Sequence, residues 1–348
     1  MIVVLKPGTD LDAVTLVEAE VRRAGGEPRR LTSSDGRLGP LGVAFGAPAQ
    51  VGPLAVECRQ ALTPEAISRV AAMAAVAYLL DGDSPHPKVG RAAGNVQVGR
   101  ATLGAAELVL LAGPCAVESE EQLEACAVAA KSAGAAVLRG GAYKPRTSPY
   151  SFQGHREEGL RMLRAAADRH GLAVVTEVLS PEAVAVVADH ADMLQIGSRN
   201  MQNFALLRAV GKSSRPVLLK RGMSATLEEW LLAAEYIADG GNEHIVFCER
   251  GVRSFDAAVR NLLDLSAVPL LRERTKLPIV VDPSHGVGVR SAIPAMAYAA
   301  AAAGADGIML ECHPDPGVAK SDGFQALLPE QLVLVARKAR AIAALARS

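Results

Sequence analysis

The chain has 348 residues, half of them apolar, enough for one large core and a smaller one. Lys+Arg and Asp+Glu both total 37. The zero net charge argues against a general nucleic-acid or membrane-surface role. Five cysteines, at 58, 115, 126, 248 and 312, form no CxxC pair, which argues against a disulfide framework or a structural zinc knuckle. No cationic leader and no apolar stretch of transmembrane length is present, and the expectation is a cytoplasmic protein.

Residues 1–7 read as a short strand. Residues 11–24 have helical spacing, with Val14, Val17 and Val21 on one face. Residues 27–32 and 41–45 read as two more strands, separated by a Ser-Ser-Asp-Gly turn cluster. Thr63 caps a helix with Pro64 and Glu65 in its first turn, running to about Leu80. This is β-α-β-β-α, most of a split βαβ module. Its last strand is missing unless Val76–Leu80 leaves the helix. Residues 81–87 are a linker by composition, and residues 95–103 alternate as a small hairpin with Gly99 at or near its turn. The chain divides into a small α+β domain with linker, residues 1–94, and a second domain, residues 95–348.

From Leu108 short apolar strands alternate with helices. The strands are 108–113, 136–140, 173–178, 193–197, 216–221, 244–250, 278–283 and 306–311. Eight strands in about 240 residues predict a (β/α)8 barrel, whose usual size is about 250 residues. A doubly wound open sheet is the competitor, but no GxGxxG loop supports it.

Each strand ends in polar residues. Cys115 follows the first. Arg139 ends the second and opens residues 139–154, RGGAYKPRTSPYSFQG, which hold Arg139, Lys144 and Arg146 and no acid. Glu177 ends the third, Gln195 and Arg199 lie at the fourth, and Lys220 ends the fifth. Glu249 and Arg250 end the sixth, Asp282 and His285 the seventh, and Glu311 the eighth. Polar strand ends converge at the C-terminal mouth of a barrel, where such folds hold their active sites. Two sets separate there. Arg139, Lys144, Arg146, Arg199, Lys220 and Arg250 would repel one another unless phosphates or carboxylates bound, so they imply a multiply anionic substrate pair. Cys115, His285, Glu311 and Asp322 suit a first-row divalent ion with positions left for water. Taken singly, Cys115 also fits a small core residue and Asp322 a turn former. His313, two residues after Glu311, is a rival ligand.

AGPCAVES (112–119), LRGGAYKPRTSPYSFQG (138–154), TEVL (176–179), QIGSRNMQNF (195–204), LLKRGM (218–223), CERGVR (248–253), DPSHGVG (282–288) and ECHPDP followed by SDG resemble one family in order. It is the 3-deoxy-D-arabino-heptulosonate 7-phosphate (DAHP) synthases, in the subfamily with a small N-terminal ferredoxin-like domain. The resemblance implies condensation of phosphoenolpyruvate with erythrose 4-phosphate, the first step of the shikimate pathway to aromatic amino acids. It implies a divalent metal (Mn, Zn, Fe or Co) on Cys115, His285, Glu311 and Asp322. It implies phosphoenolpyruvate on Arg139, Lys144, Arg199, Lys220 and Arg250, and the aldose phosphate on Arg146 and Thr147. Lys144, Cys115 and His285 would be catalytic, with Lys144 as proton donor. Glu177, and His285 or Asp322 through the metal, are the candidates for activating water. A homo-oligomer, often a tetramer, and a tyrosine or phenylalanine effector are further expectations. The sibling KDO 8-phosphate synthases, which use arabinose 5-phosphate, typically read Lys-Ala-Asn-Arg-Ser where residues 144–148 here read Lys-Pro-Arg-Thr-Ser. A metal-dependent barrel aldolase or phosphatase would explain the metal set but not the second anion. A non-enzymatic binding protein would need neither together.

Overall fold

The computed structural model describes residues 1–6, 8–31, 55–60, 62–80, 86–145 and 148–347, with Ala77, Tyr78 and Leu80 described by backbone alone. Ile2–Leu5, four apolar residues in a row, form the buried strand β1. The other elements of the first compact unit, Met1–Gly90, are α1 (Leu11–Arg23), β2 (Pro28–Leu31), β3 (Ala55–Cys58), α2 (Pro64–Ala71) and β4 (Val76–Leu80). The sheet order is β2-β3-β1-β4 and every pair is antiparallel, the ferredoxin-like arrangement. Val14, Val17 and Val21 turn one face of α1 onto Val3, Leu5, Val56 and Val70.

Two features differ from the sequence reading. The helix capped by Thr63 ends at Ala71 instead of running to Leu80. Val76–Leu80 becomes β4, because β1 has a second edge whose N–H and C=O groups need partners. β3 is the Ala-Val-Glu-Cys run at Ala55–Cys58, which propensity alone did not single out. The strand expected at 41–45 lies outside the described residues.

The second compact unit is Arg91–Ser348. After the short α3 (Pro87–Arg91), β5 (Val96–Val98) and β6 (Ala101–Leu103) form the expected hairpin. Gly99 sits in its two-residue turn with φ +58, a conformation that favours glycine. The eight remaining strands are β7 (Val109–Gly113), β8 (Val137–Arg139), β9 (Ala173–Glu177), β10 (Met193–Ile196), β11 (Val217–Lys220), β12 (Ile245–Glu249), β13 (Ile279–Val281) and β14 (Gly307–Glu311). All pair in parallel, and β14 closes onto β7 to complete the barrel. The helices α4 (Glu120–Ser132), α5 (Arg156–His170), α6 (Val184–His190), α7 (Phe204–Gly211), α8 (Leu227–Asp239), α9 (Ala267–Arg272), α10 (Pro283–Val287), α11 (Ile293–Ala302) and α12 (Pro329–Arg347) follow the strands.

Strand alternation positions the site. Leu111, Val137, Val175, Met193, Leu218, Cys248, Val280 and Met309 fill the barrel interior, and Val96, Val98 and Leu103 of the hairpin pack into the same core. Side chains two residues apart share a face. The next inward positions are therefore Arg139, Glu177, Gln195, Lys220, Arg250, Asp282 and Glu311. The core residues and the mouth residues are one stripe, apolar below and polar above.

Candidate active site

The mouth encloses a cavity of about 340 Å³. Six cations line it: Arg139, Lys144, Arg199, Lys220, Arg250 and Arg260. The acids among its described lining residues are Glu177 and Asp322. Five of the seven substrate-binding residues expected from sequence thus meet in one cavity. The other two, Arg146 and Thr147, lie outside the described residues. Glu249 does not join them. It points to the outward face, where it accepts from Arg221 Nη1 at 3.0 Å and from the Gly251 amide at 2.6 Å. Adjacent residues on a strand face opposite ways, so Arg250 and Glu249 cannot share the mouth.

Arg139 joins the cavity wall to the acids beside it. Its Nη1 donates to Pro114 O (2.6 Å) and to Glu311 Oε1 (2.9 Å), but its Nε is buried without a hydrogen-bond partner among the described residues. A buried donor left unmade costs about 1–3 kcal/mol. A bound anion would remove that cost.

The metal-type set converges beside Arg139. Donor atoms of Cys115, His285, Glu311 and Asp322 all lie within 4.8 Å of one another. Cys115 Sγ is 3.2 Å from Asp322 Oδ2, and His285 Nε2 is 3.3 Å from Glu311 Oε1. Such separations suit donors about 2.0–2.3 Å from one shared ion. The donors are held in place by other residues. Asp282 Oδ2 lies 2.7 Å from His285 Nδ1, which fixes the proton there and leaves Nε2 facing Glu311. Gln325 Nε2 donates to Glu311 Oε2 at 2.5 Å, and Ser321 Oγ lies 3.0 Å from Cys115 Sγ. Asp322 itself sits at φ +53, unusual for a residue with a side chain. Burial, then the nearby Glu311, pushes the Cys115 thiol up to about 11, so ion binding would have to displace its proton. Burial lowers the pKa of His285 and favours the neutral imidazole that a metal needs. The donor set therefore fits a divalent ion.

Lys144 Nζ donates to Cys115 O (2.9 Å) and Sγ (3.0 Å) and so reaches both sets. Glu177 is half-buried in the wall of the cavity, and desolvation raises its pKa against the pull of Lys144 and Lys220. Gln195 Nε2 lies 3.5 Å from Glu177 Oε2. A Cβ on Gly197 would lie 2.0 Å from Glu177 Oε1, so the glycine leaves the room that the carboxylate occupies. His313 faces away: its Nδ1 accepts from the Asp315 amide at 3.0 Å, and its Nε2 is 3.6 Å from Glu118 Oε2. Arg260 and Gln325 are additions that the sequence did not single out. Arg260 Nη1 donates to Gln325 Oε1 at 2.8 Å and pairs with Asp322 at 3.3 Å. Neither sits at a strand end; the only signal was the nearness of Gln325 to Asp322 in the chain.

A family model described as the DAHP synthetase I family matches residues 93–345. A phospho-2-dehydro-3-deoxyheptonate aldolase of Thermotoga maritima is 53% identical over 232 residues, 67% of this chain and 69% of its own length. A 2-dehydro-3-deoxyphosphooctonate aldolase of Koribacter versatilis is 34% identical over 247 residues, 65% of this chain and 87% of its own. The crystal structure of phospho-2-dehydro-3-deoxyheptonate aldolase (DAHP synthase) from Thermotoga maritima superposes with a TM-score of 0.78 at 39% identity, covering 99% of this chain and 98% of that one. A truncated form of the 3-deoxy-D-arabino-heptulosonate 7-phosphate synthase from the same organism gives 0.67 at 46% identity, over 72% and 93%. Together with a barrel whose mouth joins a cation-lined cavity to a metal-type donor set, these matches establish that the chain belongs to the DAHP synthetase I family.

Proposed function

We infer that this enzyme condenses phosphoenolpyruvate with erythrose 4-phosphate to give DAHP and phosphate, as a 3-deoxy-7-phosphoheptulonate synthase. Its identity to the heptulosonate enzyme, 53%, against 31–37% to the octulosonate enzymes, carries the choice of aldose. The observation that carries the chemistry is the lining of six cations beside four metal-type donors.

Arg139, Arg199, Lys220 and Arg250 hold the carboxylate and phosphate of phosphoenolpyruvate, with Lys144 at the same wall. Arg146 and Thr147 receive the phosphate of the aldose. Cys115, His285, Glu311 and Asp322 would hold a divalent ion; when bound, it supplies Lewis-acid polarisation of the aldehyde oxygen. C3 of phosphoenolpyruvate forms the new bond to the aldehyde carbon. Lys144 Nζ hands a proton to the alkoxide oxygen that this leaves, which becomes the hydroxyl. Water adds at C2, and Glu177, its pKa raised by burial, takes the water's proton. The C2–oxygen bond to phosphate then breaks, phosphate leaves with its bridging oxygen and takes up the remaining proton of the C2 hydroxyl, and C2 becomes the ketone.

The reading extends to a cytoplasmic homo-tetramer whose N-terminal domain responds to tyrosine or phenylalanine. No helix among the described residues is long and apolar enough to cross a membrane. Purified protein with phosphoenolpyruvate, erythrose 4-phosphate and a series of divalent ions should release phosphate. No release with any ion, or faster release with arabinose 5-phosphate, would overturn the assignment.

A further inference from the structure

One carboxylate oxygen serves both halves of the site. Asp282 Oδ2 accepts from Lys220 Nζ at 2.6 Å and lies 2.7 Å from His285 Nδ1. Its other oxygen, Oδ1, accepts the His285 backbone N–H at 3.0 Å and caps α10. Asp282 has no exposed surface, and the Lys220 and His285 side chains are 5% and 14% exposed. Water therefore cannot substitute for either partner without rearrangement.

Lys220 lines the cation-rich cavity, and His285 Nε2 faces Glu311 and Asp322. We propose that Asp282 is a positioning residue that couples anion binding to metal binding, so that each strengthens the other through its shared Oδ2. This rests on the site reading above and adds a thermodynamic link between its two halves. An anion on Lys220 draws the ammonium's hydrogen bonds toward itself. Oδ2 is then freer to accept from His285 Nδ1–H, which makes Nε2 the better donor. In the other direction, a dication on Nε2 makes Nδ1–H the stronger hydrogen-bond donor. That draws on Oδ2 and releases Lys220 toward the anion. The direct attraction between anion and dication also couples the sites, but it does not pass through Asp282.

The test uses the full chain and Co2+, whose absorption with a thiolate ligand reports binding without turnover. Co2+ is titrated with and without saturating phosphoenolpyruvate, no aldose being present. In the wild type the Co2+ Kd should tighten on the order of tenfold with phosphoenolpyruvate, and the phosphoenolpyruvate Kd should tighten by the same factor with Co2+. Asp282→Asn keeps the shape but weakens both contacts, and its factor should fall to about threefold or less. A purely structural role for Asp282 would lower both affinities and leave the factor unchanged, and that result would overturn the proposal. Should Asp282→Asn not fold, Lys220→Gln reads the same link from the other end. It should bind Co2+ alone at least as well as wild type and lose most of the coupling; a wild-type factor there would also overturn it. If wild type shows no thiolate–Co2+ absorption at all, the metal-site reading itself fails, and this proposal with it. An unchanged factor with that absorption present defeats this proposal alone.

Discussion

Arg139 on β8 and Glu311 on β14 meet across the barrel mouth, Nη1 to Oε1 at 2.9 Å, with side chains 5% and 0% exposed. The arginine belongs to the cation set that lines the cavity and the glutamate to the metal-type set, so neither set is electrostatically independent. Removing one partner of a buried pair typically costs about 3–5 kcal/mol, because the other charge is left uncompensated. Arg139→Ala should therefore lower the unfolding free energy of the metal-free protein by that amount. A divalent ion would neutralise Glu311, so adding one should recover more stability in the variant than in wild type. Chemical denaturation with and without metal measures both effects. Equal loss in the two conditions would contradict the pairing.

Exhaustive chelation should abolish turnover, and several divalent ions should restore it. Residues that merely orient a ligand are worth about 10–100-fold in metal affinity, so loss of a ligand should cost at least as much. Cys115→Ser should show this, and more severely for softer ions than for Mn, since a thiolate is replaced by a hydroxyl. Elemental analysis alongside the assay decides. Full activity in excess chelator with metal-free protein would refute the prediction.

Arg146 lies outside the described residues, and its assignment rests on sequence. Arg146→Ala should raise the KM for erythrose 4-phosphate by an amount equivalent to about 2–4 kcal/mol, the usual loss for a charged hydrogen bond to phosphate. The KM for phosphoenolpyruvate should change much less. Steady-state kinetics with each substrate varied in turn would expose the error if both rose together.

Gly197→Ala tests the placement of Glu177. The new Cβ would lie 2.0 Å from Glu177 Oε1, and the carboxylate must move. Overpacking of this kind costs about 1–3 kcal/mol of stability. Loss of a positioned base costs about 10²–10⁴-fold in rate, and kcat should fall within that range. The double variant with Glu177→Gln should be little worse than either single one, since both disable the same group. Additive losses would separate Gly197 from Glu177.

Residues 1–90 form their own compact unit. If that unit is regulatory, a coupling of about 1–3 kcal/mol links an amino-acid site to the barrel. A chain beginning near Val89 should keep its activity and lose inhibition by tyrosine or phenylalanine. Initial rates against both amino acids, for both chains, measure this. A full-length enzyme insensitive to either would leave the unit with a role in folding or assembly alone.

Much of the barrel was legible in the sequence because it is local. Eight apolar runs of strand length appear in order, and a period of two carries seven of them from an inward core residue to an inward polar one; on β7 it leads from Leu111 to Gly113. Val137 leads to Arg139, Val280 to Asp282 and Met309 to Glu311 in this way. The convergence of Cys115, His285, Glu311 and Asp322 follows from their places at or beyond strand ends, once the strands close into a barrel.

Tertiary structure decided what periodicity cannot carry, which is the identity of neighbours. The sequence marked Asp282 only as a polar strand end. Its shared contact to Lys220 and His285 exists because β11 and β13 flank β12 in a closed sheet. Arg260 and Gln325 reach the site from loops, where no period predicts direction. The end of α2 at Ala71 was likewise set by a distant partner. A helix and a strand compete for residues 76–80 on local propensity, and the unpaired edge of β1 settles the contest for the strand.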